Sequence, residues 1–230
     1  CASLLNRGTT TLHGIARIEE TYRVIEILQS IGVKVNWIGP NSVKIVPQKK
    51  FKLENINVKS AMKTRSIVMF LGPLIHHLKS FSLPHAEGCR LGRRTIAAHT
   101  YALEKLGVNI KTTTFKYEVR AEKLKPAEIV MYESGDTACE NVLTAVALIP
   151  GQTTISFASA NYMVQEICFF LEILGVKIDG IGTSTLIVHG LKEINKNIEY
   201  WNSEDPIESM MFISACVITD SKLTITRCPI

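Results

Sequence analysis

Residues 167–178 read ICFFLEILGVKI, and their ending recurs: IGVKV at 31–35 and LGVNI at 106–110 match LGVKI at 174–178. Counting back from the residue before each glycine, apolar side chains fall at Val24, Ile27, Leu28 and Ile31 in the first copy, and at Ile167, Phe170, Leu171 and Leu174 in the third. This i, i+3, i+4, i+7 spacing lays one apolar stripe along a helix, and a glycine directly after it is a stop signal. The spacing therefore predicts three helices that end at Gly32, Gly107 and Gly175.

After each glycine come two β-rich runs, in 33–46, 108–120 and 176–188, which read as hairpins. In the third copy the GIGT stretch at 180–183 falls in the hairpin turn, so it is not a phosphate loop. Before each helix stands a short β-branched or aromatic run (TTTLH from 9, FSLP from 81, TTISF from 153), and before that an apolar helical segment (CASLL, SIVMFLGPLI, NVLTAVAL). The unit is helix, strand, helix, hairpin. A fourth copy opens with IESMMFISACVITDSKLTIT from 207. Units of about seventy residues that cannot hide their apolar faces alone pack around a shared centre. The predicted architecture is an α/β (α+β) domain over residues 1–203, with repeats of about 1–60, 61–135 and 136–203, followed by the start of a second domain at 204–230. Both ends are expected to be truncated relative to a larger whole.

The composition narrows the class of function. The chain has 230 residues, 46% of them hydrophobic and 20% charged, which is enough apolar material for a core without metal or disulfide staples. Its six cysteines form no CxxC pair and its histidines form no zinc spacing, which reads as a reduced, cytoplasmic protein. The pairs His76–His77 and His85–Glu87 lack a third ligand, so neither metal nor cofactor is expected. The apolar stretches from 67 and from 210 fall short of the ~20 residues of a membrane span. The net charge of +5 suits an anionic partner, yet the few aromatics are not interleaved with Lys or Arg, so a nucleic acid is not expected. Oligomeric state is not legible.

The repeat is broken in one place. Leu12 to Gly32 and Ile155 to Gly175 each span 20 residues, whereas Leu83 to Gly107 spans 24. The surplus lies in LPHAEGCRLGRRT at 83–95, which carries Cys89, Arg90, Arg93 and Arg94 and runs into a helix start near Thr95. Guanidiniums and helix N–H groups together suit phosphate and carboxylate, and the same field favours a Cys89 thiolate. The residues also fit a solvated Arg-rich loop with an incidental cysteine. His99 is a second break: it stands where the other copies have Val24 and Ile167. It reads either as a hydrogen-bonded core histidine or as a group that supports the loop and reaches phosphate. Arg65, in KTRS at the start of the middle copy's first helix, is a further candidate anion contact.

With CASLL, TRSIVMFLGPL, GCRLGRRTIAAH, the EN of DTACENVLTA and FLEILGVKIDGIGTSTLIVHG in hand, the chain resembles the UDP-N-acetylglucosamine 1-carboxyvinyltransferase family of enolpyruvyl transferases along its whole length. The resemblance implies an inside-out α/β barrel. It also implies transfer of the enolpyruvyl group of phosphoenolpyruvate to the 3′-hydroxyl of UDP-N-acetylglucosamine, a step of peptidoglycan precursor synthesis that needs no metal. In that reading Cys89 is the loop acid and the target of fosfomycin, and Arg94 binds phosphate and carboxylate. Arg65 contacts the UDP sugar, and Thr95 and His99 line the substrate site. A family lysine and a family arginine are replaced by Glu133 and Pro206. The alternative reading is therefore a catalytically inactive paralogue or fragment that serves as a binding or scaffold module.

Overall fold

The computed structural model describes residues 1–85 and 95–228. The first unit opens with a 3₁₀ turn at Ala2–Leu5, then strand β1 (Thr10–His13), helix α1 (Glu19–Ser30) and the hairpin β2 (Lys34–Gly39) and β3 (Ser42–Val46). The second begins with helix α2 (Val58–Lys63), a 3₁₀ helix at Arg65–Phe70 and the short helix α3 (Leu71–Leu74). It continues with β4 (Ser80–Pro84), α4 (Ala97–Lys105), β5 (Asn109–Thr112) and β6 (Lys116–Arg120). The third contains β7 (Glu128–Val130), α5 (Asp136–Val146), β8 (Gly151–Ser156), α6 (Tyr162–Leu174), β9 (Lys177–Asp179) and β10 (Thr185–Gly190). Strand β11 (Ile198–Trp201) and helix α7 (Pro206–Ile218) follow.

The three glycines end their helices by one mechanism. Gly32, Gly107 and Gly175 have φ of +100°, +93° and +101°, in the left-handed region that a side chain disfavours. The reversal lets the N–H of Val33, Val108 and Val176 donate back to the carbonyls of Leu28, Leu103 and Leu171 at 3.0, 3.2 and 3.0 Å, which satisfies helix-end acceptors. The same valines are buried at the entry to each hairpin, so one residue both closes the helix and seeds the sheet.

The hairpins grow into three separate sheets of order β11-β1-β3-β2, β4-β6-β5 and β7-β8-β10-β9. Period-2 burial, as at Tyr117 and Val119 on β6, turns one face of each sheet to the core and the other to water. Helices fill the middle. All four residues of α3 are buried, as are eight of the eleven residues of α5, which packs on α3, α4 and α6. Helices inside and sheets outside is the inside-out barrel that the family resemblance implies.

Three features differ from expectation. β7 pairs in parallel with β8, and β11 pairs in parallel with β1, so the first and third sheets each gain a fourth strand that the unit does not contain. Runs of three and four residues are too short for an alternation signal, and their partners lie far away in sequence. The strand implied by KLTIT in the fourth copy is not formed: residues 222–226 pair with no strand among the described residues. Helix α7 leaves Ile207, Met210, Met211, Val217 and Ile218 exposed. Among the described residues no helix is long and apolar enough to cross a membrane, and no group of three metal-ligating side chains gathers.

Candidate functional site

Thr64 and Ser66 flank Arg65, and both donate their hydroxyls to the Glu20 carboxylate of α1. The Thr64 hydroxyl also accepts from the Ser66 N–H at 3.1 Å, capping the 3₁₀ helix that Arg65 opens. The backbone at Arg65 is thus pinned from both sides. Its guanidinium is half-buried and makes no ion pair among the described residues, which leaves its charge available to an anion.

His99 lies in the first turn of α4, partly buried like Val24 and Ile167, the aliphatics it replaces. Burial pushes its pKa down to about 4, and the Arg65 cation pushes in the same direction, so the ring is neutral at physiological pH. The hydrogen-bonded histidine expected in this slot is therefore what the structure shows, and the ring lies within the field of Arg65. Thr95 is exposed and its hydroxyl accepts from the Ala97 N–H at 3.1 Å, just ahead of α4. Cys89 and Arg94, with Arg90 and Arg93, lie outside the described residues.

What joins these pieces is Asn141, a fully buried residue of α5 to which the sequence reading gave no role. Its Oδ1 accepts from the Gly72 N–H at 2.7 Å, and its Nδ2 donates to the Val68 carbonyl at 3.0 Å and to His99 Nδ1 at 3.1 Å. One amide thereby ties the Arg65 segment, α3 and α4 to the central helix. The available signal was weak: an asparagine and a threonine in the apolar run NVLTAVAL. Beside it, Glu140 borders a cavity of about 390 Å³ with Ser66, Met69 and Thr144. Burial, with Asp136 adding to it, pushes Glu140 up to about 7.

The other sequence candidates are structural. His76 donates from Nε2 to the Ala145 carbonyl at 2.7 Å and His77 to the Leu4 carbonyl at 2.8 Å. Burial pushes His76 down to about 4 and lowers His77 as well. Cys139 and Cys168 are free and buried, and burial pushes them up to about 11 and about 12, which makes them unreactive thiols.

These groups set the acid response. The folded values of His76 and His99 lie near 4, below 6.5, so between those limits the unfolded chain binds protons that the folded one refuses. That contribution to stability is present above 6.5 and is lost as pH falls. Glu140, raised from 4.5 to about 7, acts in the opposite sense over 4.5–7. His76 and His99 against one carboxyl leave a net of about one proton, to which the lowered His77 adds in the same sense, so unfolding free energy should drop by at least roughly 1.4 kcal/mol per unit from pH 6.5 to 4.5. Urea titrations at several pH values check this, and a flat or inverted profile contradicts the burial of the histidines.

Solved structures share this architecture. The enolpyruvyl transferase NikO from Streptomyces tendae superposes with a TM-score of 0.80 at 18% identity over 93% of this chain and 50% of that one. EPSP synthase from Acinetobacter baumannii gives 0.70 at 16% over 94% and 50%. The fold is therefore that of the enolpyruvyl transferases. Residues 1–230 match the family described as EPSP synthase (3-phosphoshikimate 1-carboxyvinyltransferase), and the chain belongs to it. Among curated relatives, the UDP-N-acetylglucosamine 1-carboxyvinyltransferases of Bradyrhizobium diazoefficiens and Treponema denticola are 33% and 32% identical to it. Each alignment covers 98% of this chain and 52% of the relative, so the chain spans about half the length of the curated relatives it matches.

Proposed function

We propose that the protein containing this chain transfers the enolpyruvyl group of phosphoenolpyruvate to the 3′-hydroxyl of UDP-N-acetylglucosamine, in the cytoplasm, as a step of peptidoglycan precursor synthesis. The observation that carries the reading is the 33% identity, along 98% of the chain, to a relative of that name. The geometry supports it. A guanidinium at Arg65 with no ion pair among the described residues lies near a neutral histidine at the start of α4, the helix that follows Cys89 and Arg94 in sequence. Concentrated positive charge in a preorganised setting is what an enol phosphate that also carries a carboxylate requires. In this reading Cys89 acts as the acid, Arg94 holds phosphate and carboxylate, and Arg65, Thr95 and His99 bind substrate. Residues 204–230 begin a second domain, and the exposed apolar side chains of α7 pack into it.

The test is release of phosphate from phosphoenolpyruvate that depends on UDP-N-acetylglucosamine, paired with fosfomycin labelling of the wild type and of Cys89→Ser. Turnover, with labelling lost in the variant, is the expected result; labelling that persists in Cys89→Ser removes Cys89 from the chemistry. A second reading, an inactive paralogue that binds without turnover, is favoured by two positions. Glu133 stands exposed before α5 where the family resemblance implies lysine, and Pro206 occupies the first turn of α7, capped by Asp205, where it implies arginine. No phosphate release at saturating substrate selects this second reading.

A further inference from the structure

The orientation of the Asn141 side chain is fixed by two backbone groups of opposite character. The Gly72 N–H can only donate and lies 2.7 Å from Oδ1; the Val68 carbonyl can only accept and lies 3.0 Å from Nδ2. Flipping the amide would set donor against donor and acceptor against acceptor in a site where Asn141 is 0% exposed, a costly exchange. Nδ2 therefore faces His99 Nδ1 as a donor, at 3.1 Å, and that ring nitrogen must present a lone pair. We propose that Asn141 is a positioning residue that holds His99 in its Nε2–H tautomer, so that the ring offers a hydrogen-bond donor beside Arg65.

The consequence is chemical. An Nε2–H on a ring within the field of the Arg65 cation complements an anionic oxygen, whereas the other tautomer would present a lone pair there. That consequence rests on the anion-site reading above, while the tautomer itself does not. The same arrangement explains why an amide and not a carboxylate occupies position 141. Asp in its ionised form could accept from Gly72 but could give nothing to Val68, and it would draw the ring proton to Nδ1.

The experiment is two-bond nitrogen–proton correlation on the uniformly ¹⁵N-labelled chain, with His99→Gln used to assign the ring. The expected spectrum has an unprotonated Nδ1 and a protonated Nε2 in the wild type. In Asn141→Asp the proton shifts to Nδ1. A wild-type ring with Nδ1–H overturns the proposal whether or not any variant folds, and so does a folded Asn141→Asp whose tautomer is unchanged. Titration with inorganic phosphate separates the two readings. If the Nε2–H tautomer is present and phosphate moves its resonance, both stand; if the tautomer is present and phosphate leaves it unmoved, the positioning role stands and the anion-site reading falls.

Discussion

Replacing Gly72 with alanine is expected to remove about 2–6 kcal/mol of folding stability. A Cβ at this position would meet the Asn141 carbonyl oxygen at 2.5 Å and Asn141 Oδ1 at 2.8 Å, with the Thr144 hydroxyl closer still. Those atoms belong to α5, whose Cys139, Val142, Leu143 and Ala145 are all 0% exposed, so the central helix has nowhere to retreat. Overpacking costs about 1–3 kcal/mol, and separating Gly72 from Asn141 leaves buried donors and acceptors unpaired at about 1–3 kcal/mol more. Against a typical total of roughly 5–15 kcal/mol this is a large fraction. Urea unfolding should show a lower midpoint with unchanged slope. Gly39→Ala is the control: its Cβ would find only the Ser42 side chain, at 3.9 Å, and should cost less than about 1 kcal/mol. If the two variants behave alike, the close approach of α3 to α5 is wrong.

That contact also marks the limit of what could be read without coordinates. The glycine-ended helices were legible because an apolar stripe, a glycine and a β-rich pair are local signals, and each copy repeats them. Gly32, Gly107 and Gly175 all take the predicted role. Parallel strands β7 and β11 carry no such signal: β1 and β11 meet across Thr10 and Ile198, with no turn between them to betray the pairing. The site divides in the same way. Arg65 and His99 could be picked out, His99 because it occupies an aliphatic slot in the repeat. Asn141 could not, since its partners, the Gly72 N–H and the Val68 carbonyl, are backbone groups about seventy residues away. A buried polar residue acquires meaning only from what faces it.

Arg65→Ala should separate function from stability. The guanidinium has no ion-pair partner among the described residues, while the chain around it is held by Thr64 and Ser66 on Glu20, contacts that the substitution leaves intact. Removing an unpaired, half-buried charge should change unfolding free energy by no more than about 1 kcal/mol. Turnover should fall further, because a charge-assisted contact to a substrate oxyanion is worth about 1.5–3 kcal/mol, which at 1.36 kcal/mol per decade corresponds to roughly 10- to 10²-fold in kcat/KM. Lysine at this position should recover only part of the loss, since it keeps the charge but not the fork of parallel donors. The His99 ring supplies an internal readout that needs no substrate. Its pKa should rise from about 4 once the neighbouring cation is gone, yet stay below 6.5, because burial is the larger of its two causes. Loss of stability with turnover intact would make Arg65 a structural residue; loss of turnover with stability intact and a raised His99 pKa makes it a binding one.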